Sequence, residues 1–223
     1  AHARNMADAA SGFSICAAGQ TTGIKGKISI AASETIAAVL LPPIIADLRT
    51  LEPSIEIDLV VSNSASDLQR READIAIRHF RPSEPDLYAK KVSEMATQLY
   101  ASPKYLAKIG HPTTLDELNR AQFINVEEGD VVMHGLNAQG LQLTPDNFPI
   151  MTPSYLVMWE LVKQGVGIGF LDATIGDKEP LVQRVLPDFK SFNFPVWLVA
   201  HRELKTSRRV RRVFDLLAEK LSA

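Results

Sequence analysis

Cysteine is nearly missing from this chain: Cys16 is the only one, so no internal disulfide is possible and nothing calls for an oxidising compartment. A lone thiol without a second cysteine or a charged neighbour reads as a bystander. Long hydrophobic runs are also missing, since no apolar stretch approaches the roughly 18 residues of a membrane span. The opening AHARNMADAASGF lacks the apolar core of a secretory signal. Together these absences predict a cytoplasmic chain with no membrane partner. An excess of one charge is lacking too: the net charge is −2, whereas a self-sufficient nucleic-acid-binding domain usually carries a strongly basic face. If DNA is the eventual target, its reading surface lies outside this chain.

Signatures of catalysis are absent as well. There is no Gly-x-Ser-x-Gly elbow, no His-Glu-x-x-His and no phosphate loop. His2, His79, His111, His134 and His201 lack the short spacing of zinc ligands. Glu127 and Glu128 are adjacent on a predicted strand, so they point to opposite faces and cannot share a substrate as acid and base. No enzyme activity, cofactor or metal is expected. GVGIGF at Gly165–Phe170 is no dinucleotide fingerprint, because its glycines follow a predicted helix and lead into a strand, the reverse of the required order.

What the chain does have is size and pattern. With 223 residues and 46% apolar content it can form one large domain or two lobes of about a hundred residues, each burying a core. From Gly26 to Ala76, GKISIAASETIAAVLLPPIIADLRTLEPSIEIDLVVSNSASDLQRREADIA alternates short β-rich runs with helical ones. This predicts a parallel α/β unit: a strand over Lys27–Ala32, a helix from Ser33 to about Thr50, a strand over Ile55–Val61, a short helix over Ala65–Arg71 and a strand over Asp74–Ile77. Pro42 and Pro43, lacking N–H donors, must kink or restart the first helix. In an open parallel sheet, ligands bind beyond the carboxyl ends of the strands. The small polar residues there, Ser33 with Thr35, then Ser62, Asn63 and Ser64, are therefore candidate contacts, as is His79 after the third strand. Arg78 and Arg81 beside it either clamp a carboxylate or pair with Glu84 and Asp86 in a surface loop.

Past the Pro-rich HFRPSEPDLY a lobe change is predicted near Ser93–Gln98, with a new β-prone run at Leu99–Ala101. A short helix around Tyr105, a helix at Leu115–Leu118 and a strand at Gln122–Val126 follow. Val131–Leu143 then reads as a hairpin turning near Asn137–Gly140. A helix at Tyr155–Lys163, a strand at Val166–Leu171 and a strand at Phe194–Ala200 complete the lobe. In a last helix over about Thr206–Leu221, Val210, Val213, Phe214, Leu217 and Leu221 share one face. Arg208, Arg209, Arg211 and Arg212 flank that stripe and read as a solvated face.

The strand followed by ASETIAAVLLPPIIADLRTLEPSIEIDL and then READIAIRHFRP resembles the effector-binding part of LysR-type transcriptional regulators. Leu41-Pro42 in the first helix, Pro53 opening the second strand and the acidic-apolar Ala73–Ile77 carry the likeness, which spans nearly everything from Gly23 onward. The resemblance implies a two-lobed α/β fold like type II periplasmic binding proteins, each lobe a mostly parallel sheet flanked by helices, with two crossover segments. Residues 1–22 would be the tail of a linker helix, or equally a disordered end. Lobe I would be 23–94 with 201–223, and lobe II 95–200. It implies a small-molecule effector in an interlobe cleft, a homodimer or higher homo-oligomer formed through first lobes, and DNA bound through an N-terminal winged helix-turn-helix absent from this chain. The expected effector contacts are Ser33, Glu34, Thr35, Asn63, Ser64, His79 and Phe80 from the first lobe, and Thr97, Asn125, Ser154 and Phe170 from the second. Glu34 at a helix start disfavours a simple carboxylate and leaves a cationic or zwitterionic ligand open. The other readings are a transporter's solute-binding protein and a bilobal enzyme.

Overall fold

A computed structural model describes residues 24–63, 73–126, 129–190, 192–202 and 207–222. The expected linker tail, Cys16, Ser64, the helix over Ala65–Arg71, and Glu127 with Glu128 lie outside these residues. The chain divides into two compact units, one running up to Glu94 and resuming at Pro195, the other spanning Met95–Phe194.

In unit 1, β1 (Gly26–Ala32) is central: it pairs in parallel with β2 (Ile55–Val61) and with β3 (Ile75–Arg78). β3 in turn pairs antiparallel with β9 (Phe192–His201). Burial follows position in this order. β3 is buried at all four residues, whereas β2, at the edge, leaves Leu59 and Val61 exposed. The first helix restarts at its prolines. A π-helical turn over Ile36–Leu40 leads into α1 (Leu41–Leu51), and the Leu41 N–H reaches back to the Ile36 carbonyl. Pro42 and Pro43 then fall in the first turn of α1, where a missing N–H leaves no helix bond unmade. Leu41, Ile44 and Leu48 form its buried face.

The C-terminal helix α7 (Arg208–Leu221) packs beside α1 and is tied to it by ion pairs from Arg212 to Glu52 at 2.8 Å and from Lys220 to Asp47 at 2.6 Å. Val210, Val213, Phe214 and Leu217 are buried as their spacing predicts. One of the four flanking arginines departs from the solvated face expected for them. Arg209 is 8% exposed, and its Nη1 donates to the Lys25 carbonyl at 2.9 Å. It occupies the space beside Gly26, whose φ of +129° excludes an ordinary side chain. The stripe rule fails at Arg209 because a long side chain can bury its stem and still find a carbonyl for its head.

β4 (Leu87–Ala101) and β9 each cross the boundary between units. In unit 2, β4 pairs antiparallel with β7 (Gly169–Asp172) and with β8 (Gln183–Arg184). β5 (Ile124–Asn125) runs parallel to β6 (Ile150–Met151), and a parallel bridge joins Phe123 to Ile168. Strand alternation divides this unit into two cores. Leu99 and Ala101 face a cluster with Tyr105, Phe123 and Ile168, whereas Tyr100 between them faces Ile124, Met158, Trp159 and Val162. The helices are α2 (Pro103–Lys108), α3 (Leu115–Leu118), α4 (Val131–Asn137), α5 (Tyr155–Lys163) and α6 (Ala173–Gly176). Gly165 ends α5 in the left-handed region at φ +78°, with Gly165 N–H on the Val162 carbonyl and Val166 N–H on that of Leu161. α4 corrects the hairpin expected over Val131–Leu143. Leu136 is buried with Val132 and Met133 packed beside it, a helical rather than alternating spacing. The turn itself does form, with Gly140 N–H on the Asn137 carbonyl and the Asn137 amide bonded both ways to the Leu143 backbone.

Candidate functional site

The carboxyl ends of the parallel strands in unit 1 gather most of the first group of predicted contacts. Ser33 follows β1 and its carbonyl accepts the Ala37 N–H that starts the helical segment. Asn63 follows β2, and its Oδ1 accepts the Glu34 N–H at 3.0 Å, joining the two strand ends directly. Ser62 N–H, donating to the Ala32 carbonyl, continues the β1–β2 pairing past the strands. Arg78, the last residue of β3, is 5% exposed, and His79 and the 42% exposed Phe80 come next. The Arg81 guanidinium lies over the Trp197 ring at 5.6 Å from the centroid. Asp86 faces His201 at 3.6 Å.

Trp197 is the residue that reading the sequence missed. Its strand was legible, but its place opposite Arg78 is set by the β3–β9 register, which no local pattern encodes. Two side-chain atoms at this edge, Ser33 Oγ and Trp197 Nε1, are buried and make no hydrogen bond among the described residues. Buried polar atoms are ordinarily satisfied, so this pair of exceptions marks the position as unusual.

The unit 2 candidates have structural employment. The Ser154 hydroxyl caps α5 by accepting the Val157 N–H at 3.2 Å. Asn125 ends β5 and its amide donates to the Gly129 carbonyl at 3.1 Å. Thr97 is 8% exposed and stands opposite Asp172, whose carboxylate caps α6. Phe170 packs edge-on against Tyr155 and contributes to both cores. The strongest electrostatics in this unit lie elsewhere. The Tyr100 hydroxyl donates to Asp177 Oδ1 at 2.9 Å, and Arg184 binds both carboxylate oxygens at 2.7 and 2.6 Å. Arg184 holds the Asp177 carboxyl below its ordinary range, and Asp177 in turn raises Arg184. Burial, with the bond to Asp177 added, pushes the Tyr100 hydroxyl up to about 12. This cluster fastens α6 and β8 to β4.

Among the described residues no group of three or more His, Cys, Asp or Glu is placed to hold a metal, and no helix is long and apolar enough to cross a membrane.

The model of the LysR substrate binding domain matches residues 21–222. The HTH-type transcriptional regulator CrgA of Neisseria meningitidis serogroup B is 26% identical over 205 residues, covering 88% of this chain and 68% of that protein. An HTH-type transcriptional regulator of Xanthomonas campestris pv. campestris is 30% identical over 97 residues, 44% of this chain and 28% of its own length. The chain thus spans between 28% and 68% of these two relatives. Among solved structures, the CrgA regulatory domain from Neisseria meningitidis superposes with a TM-score of 0.78 at 26% identity, covering 88% of this chain and 99% of that one. The full-length Vibrio cholerae virulence activator AphB gives 0.74 at 21% identity, covering 91% and 71%, a likeness of fold alone. With a family match over nearly its whole length, this chain belongs to the LysR substrate binding domain family.

Proposed function

We propose that this chain is the effector-sensing part of a transcriptional regulator and that its effector, a small metabolite, contacts the carboxyl edge of the parallel strands in unit 1. The observation carrying the proposal is the junction of strand ends at Ser33, Glu34 and Asn63, with the buried Ser33 hydroxyl unpaired among the described residues. Thr35, His79 and Phe80 flank that junction, and Thr97, Asn125, Ser154 and Phe170 are the corresponding candidates in unit 2. The chain acts without catalysis or cofactor. A winged helix-turn-helix elsewhere in the protein reads DNA, the protein works as a homo-oligomer in the cytoplasm, and the effector changes DNA binding. It does so only through its differential affinity for the states that the regulator adopts. The relatives named above are regulators, which favours this reading over a transporter's solute-binding protein or an enzyme.

The test is a thermal-shift screen of this chain against amino acids, aromatic acids, sugar acids and nucleotides. A ligand bound only by the native state at a hundredfold excess over its Kd adds about 2.7 kcal/mol. A saturable rise in Tm is expected, lost in Ser33→Ala and weakened in Asn63→Ala, with both variants folded. A ligand whose affinity is unchanged in both variants refutes the strand-end site.

A further inference from the structure

The register of unit 1 places three polar side chains in one row. Ala31 lies opposite Ala76, and Ala76 opposite Val199, and these three share a buried cluster on one face of the sheet. Side chains alternate along a strand, so the next position on that face is two residues further along β3 and two residues back along β9. Those positions are Arg78 and Trp197, which are partners in the register, and Trp197 packs against the same cluster. Ser33 stands two residues beyond Ala31, where β1 gives way to the helical segment. Adjacent strands are about 4.8 Å apart, so Ser33, Arg78 and Trp197 make a row about 10 Å long, from the ends of β1 and β3 to the middle of β9.

The chemistry of this row is one-sided. An indole N–H only donates, a guanidinium only donates, and a hydroxyl donates or accepts. Trp197 Nε1 and Ser33 Oγ, at the two ends of the row, are both buried without a hydrogen-bond partner among the described residues. Arg78, between them, is 5% exposed, and Arg81 covers the Trp197 ring. Among the described residues within three positions past the ends of β1, β2 and β3, Glu34 is the one acid. Glu34 was the reason for leaving a cationic ligand open, but the donors outnumber it, and its own backbone N–H is already held by Asn63.

We infer that the row Ser33–Arg78–Trp197 binds an anionic, acceptor-bearing group of the effector, a carboxylate being the simplest, with the Trp197 indole N–H as a ligand contact. The inference rests on the strand-end reading of the proposed function and adds the ligand's charge and a residue to it. A cationic group offers the indole donor no acceptor, and a polyol oxygen accepts from it but lacks the negative charge that a guanidinium favours.

The indole N–H resonance of Trp197 reports directly on the atom concerned. The sequence has one other tryptophan, Trp159, so Trp159→Phe assigns the signal. The chain is titrated with benzoate, and separately with benzylamine and glucose. Benzoate is expected to move the Trp197 signal saturably while leaving that of Trp159 in place. Ser33→Ala is expected to weaken benzoate about five- to tenfold, the effect of one hydrogen bond, without loss of fold. Movement with benzylamine or glucose but not benzoate overturns the anionic assignment and leaves the strand-end site standing. Movement with benzoate that Ser33→Ala does not weaken overturns the row. No movement with any of the three overturns the inference, and a thermal-shift screen equally silent would take the strand-end site with it.

Discussion

Replacing Gly26 by alanine tests whether Arg209 is a structural clamp rather than a surface charge. Gly26 has φ +129°, and a Cβ built on it would lie 2.6 Å from Arg209 Nη1 and 3.3 Å from Arg209 Cζ. A side chain at that φ costs about 1–3 kcal/mol in backbone strain, and forcing a methyl into occupied space adds about 1–3 kcal/mol. Gly26→Ala is therefore expected to destabilise unit 1 by about 2–6 kcal/mol, the sum of these two effects. Arg209→Ala alone removes the charged hydrogen bond to the Lys25 carbonyl, worth about 1.5–3 kcal/mol. In the double variant the methyl enters vacated space and only the strain remains, so the two changes couple favourably by about 1–3 kcal/mol. The assay is urea unfolding of all four proteins, followed by Trp197 fluorescence in a Trp159→Phe background so that the probe lies in unit 1 alone. Additive costs, with coupling below about 0.3–0.5 kcal/mol, would refute the clamp and return Arg209 to the solvated face.

Two further outcomes follow from the rest of the structure. In an alkaline absorbance titration, Tyr100 is expected to ionise near 12, and that step should vanish in Tyr100→Phe. Because the folded value is raised, the stabilisation is whole below the unfolded value near 10 and is lost as pH climbs towards 12, so native chain and Tyr100→Phe should converge in stability over that window. Thr114→Ala removes a capping box in which the Thr114 hydroxyl and the Glu117 carboxylate each accept a backbone N–H. It should cost about 0.5–2 kcal/mol by thermal or urea unfolding, whereas Thr113→Ala, which removes only a 3.3 Å hydroxyl contact to Glu117 and no helix N–H partner, should cost less.

The elements of unit 1 were legible because their cues are local. Alternation and β-branched residues mark Lys27–Ala32 and Ile55–Val61, and apolar spacing marks the last helix. The strand-end rule then led to Ser33 and Asn63, and these two ends do meet through the Glu34 N–H. Val131–Asn137 misled because Val-Val-Met is β-prone by composition, and only the core waiting for Leu136 makes it helical. Ser154 was legible as a helix start, yet its hydroxyl is occupied by the Val157 N–H.

By itself, then, the sequence determined the kind of element at most positions, the parallel α/β character of the first segment, the family, and the absence of a catalytic motif, because each is written in short-range spacing. The tertiary structure alone decided which distant residues became neighbours. Arg78 met Trp197 across 119 residues through strand register, Arg209 turned inward because the Lys25 carbonyl and the bare face of Gly26 received it, and Tyr100 found Asp177 77 residues on. Such pairings depend on how strands align and helices seat. Side-chain burial and hydrogen bonding between remote segments set them, and no local window contains both partners.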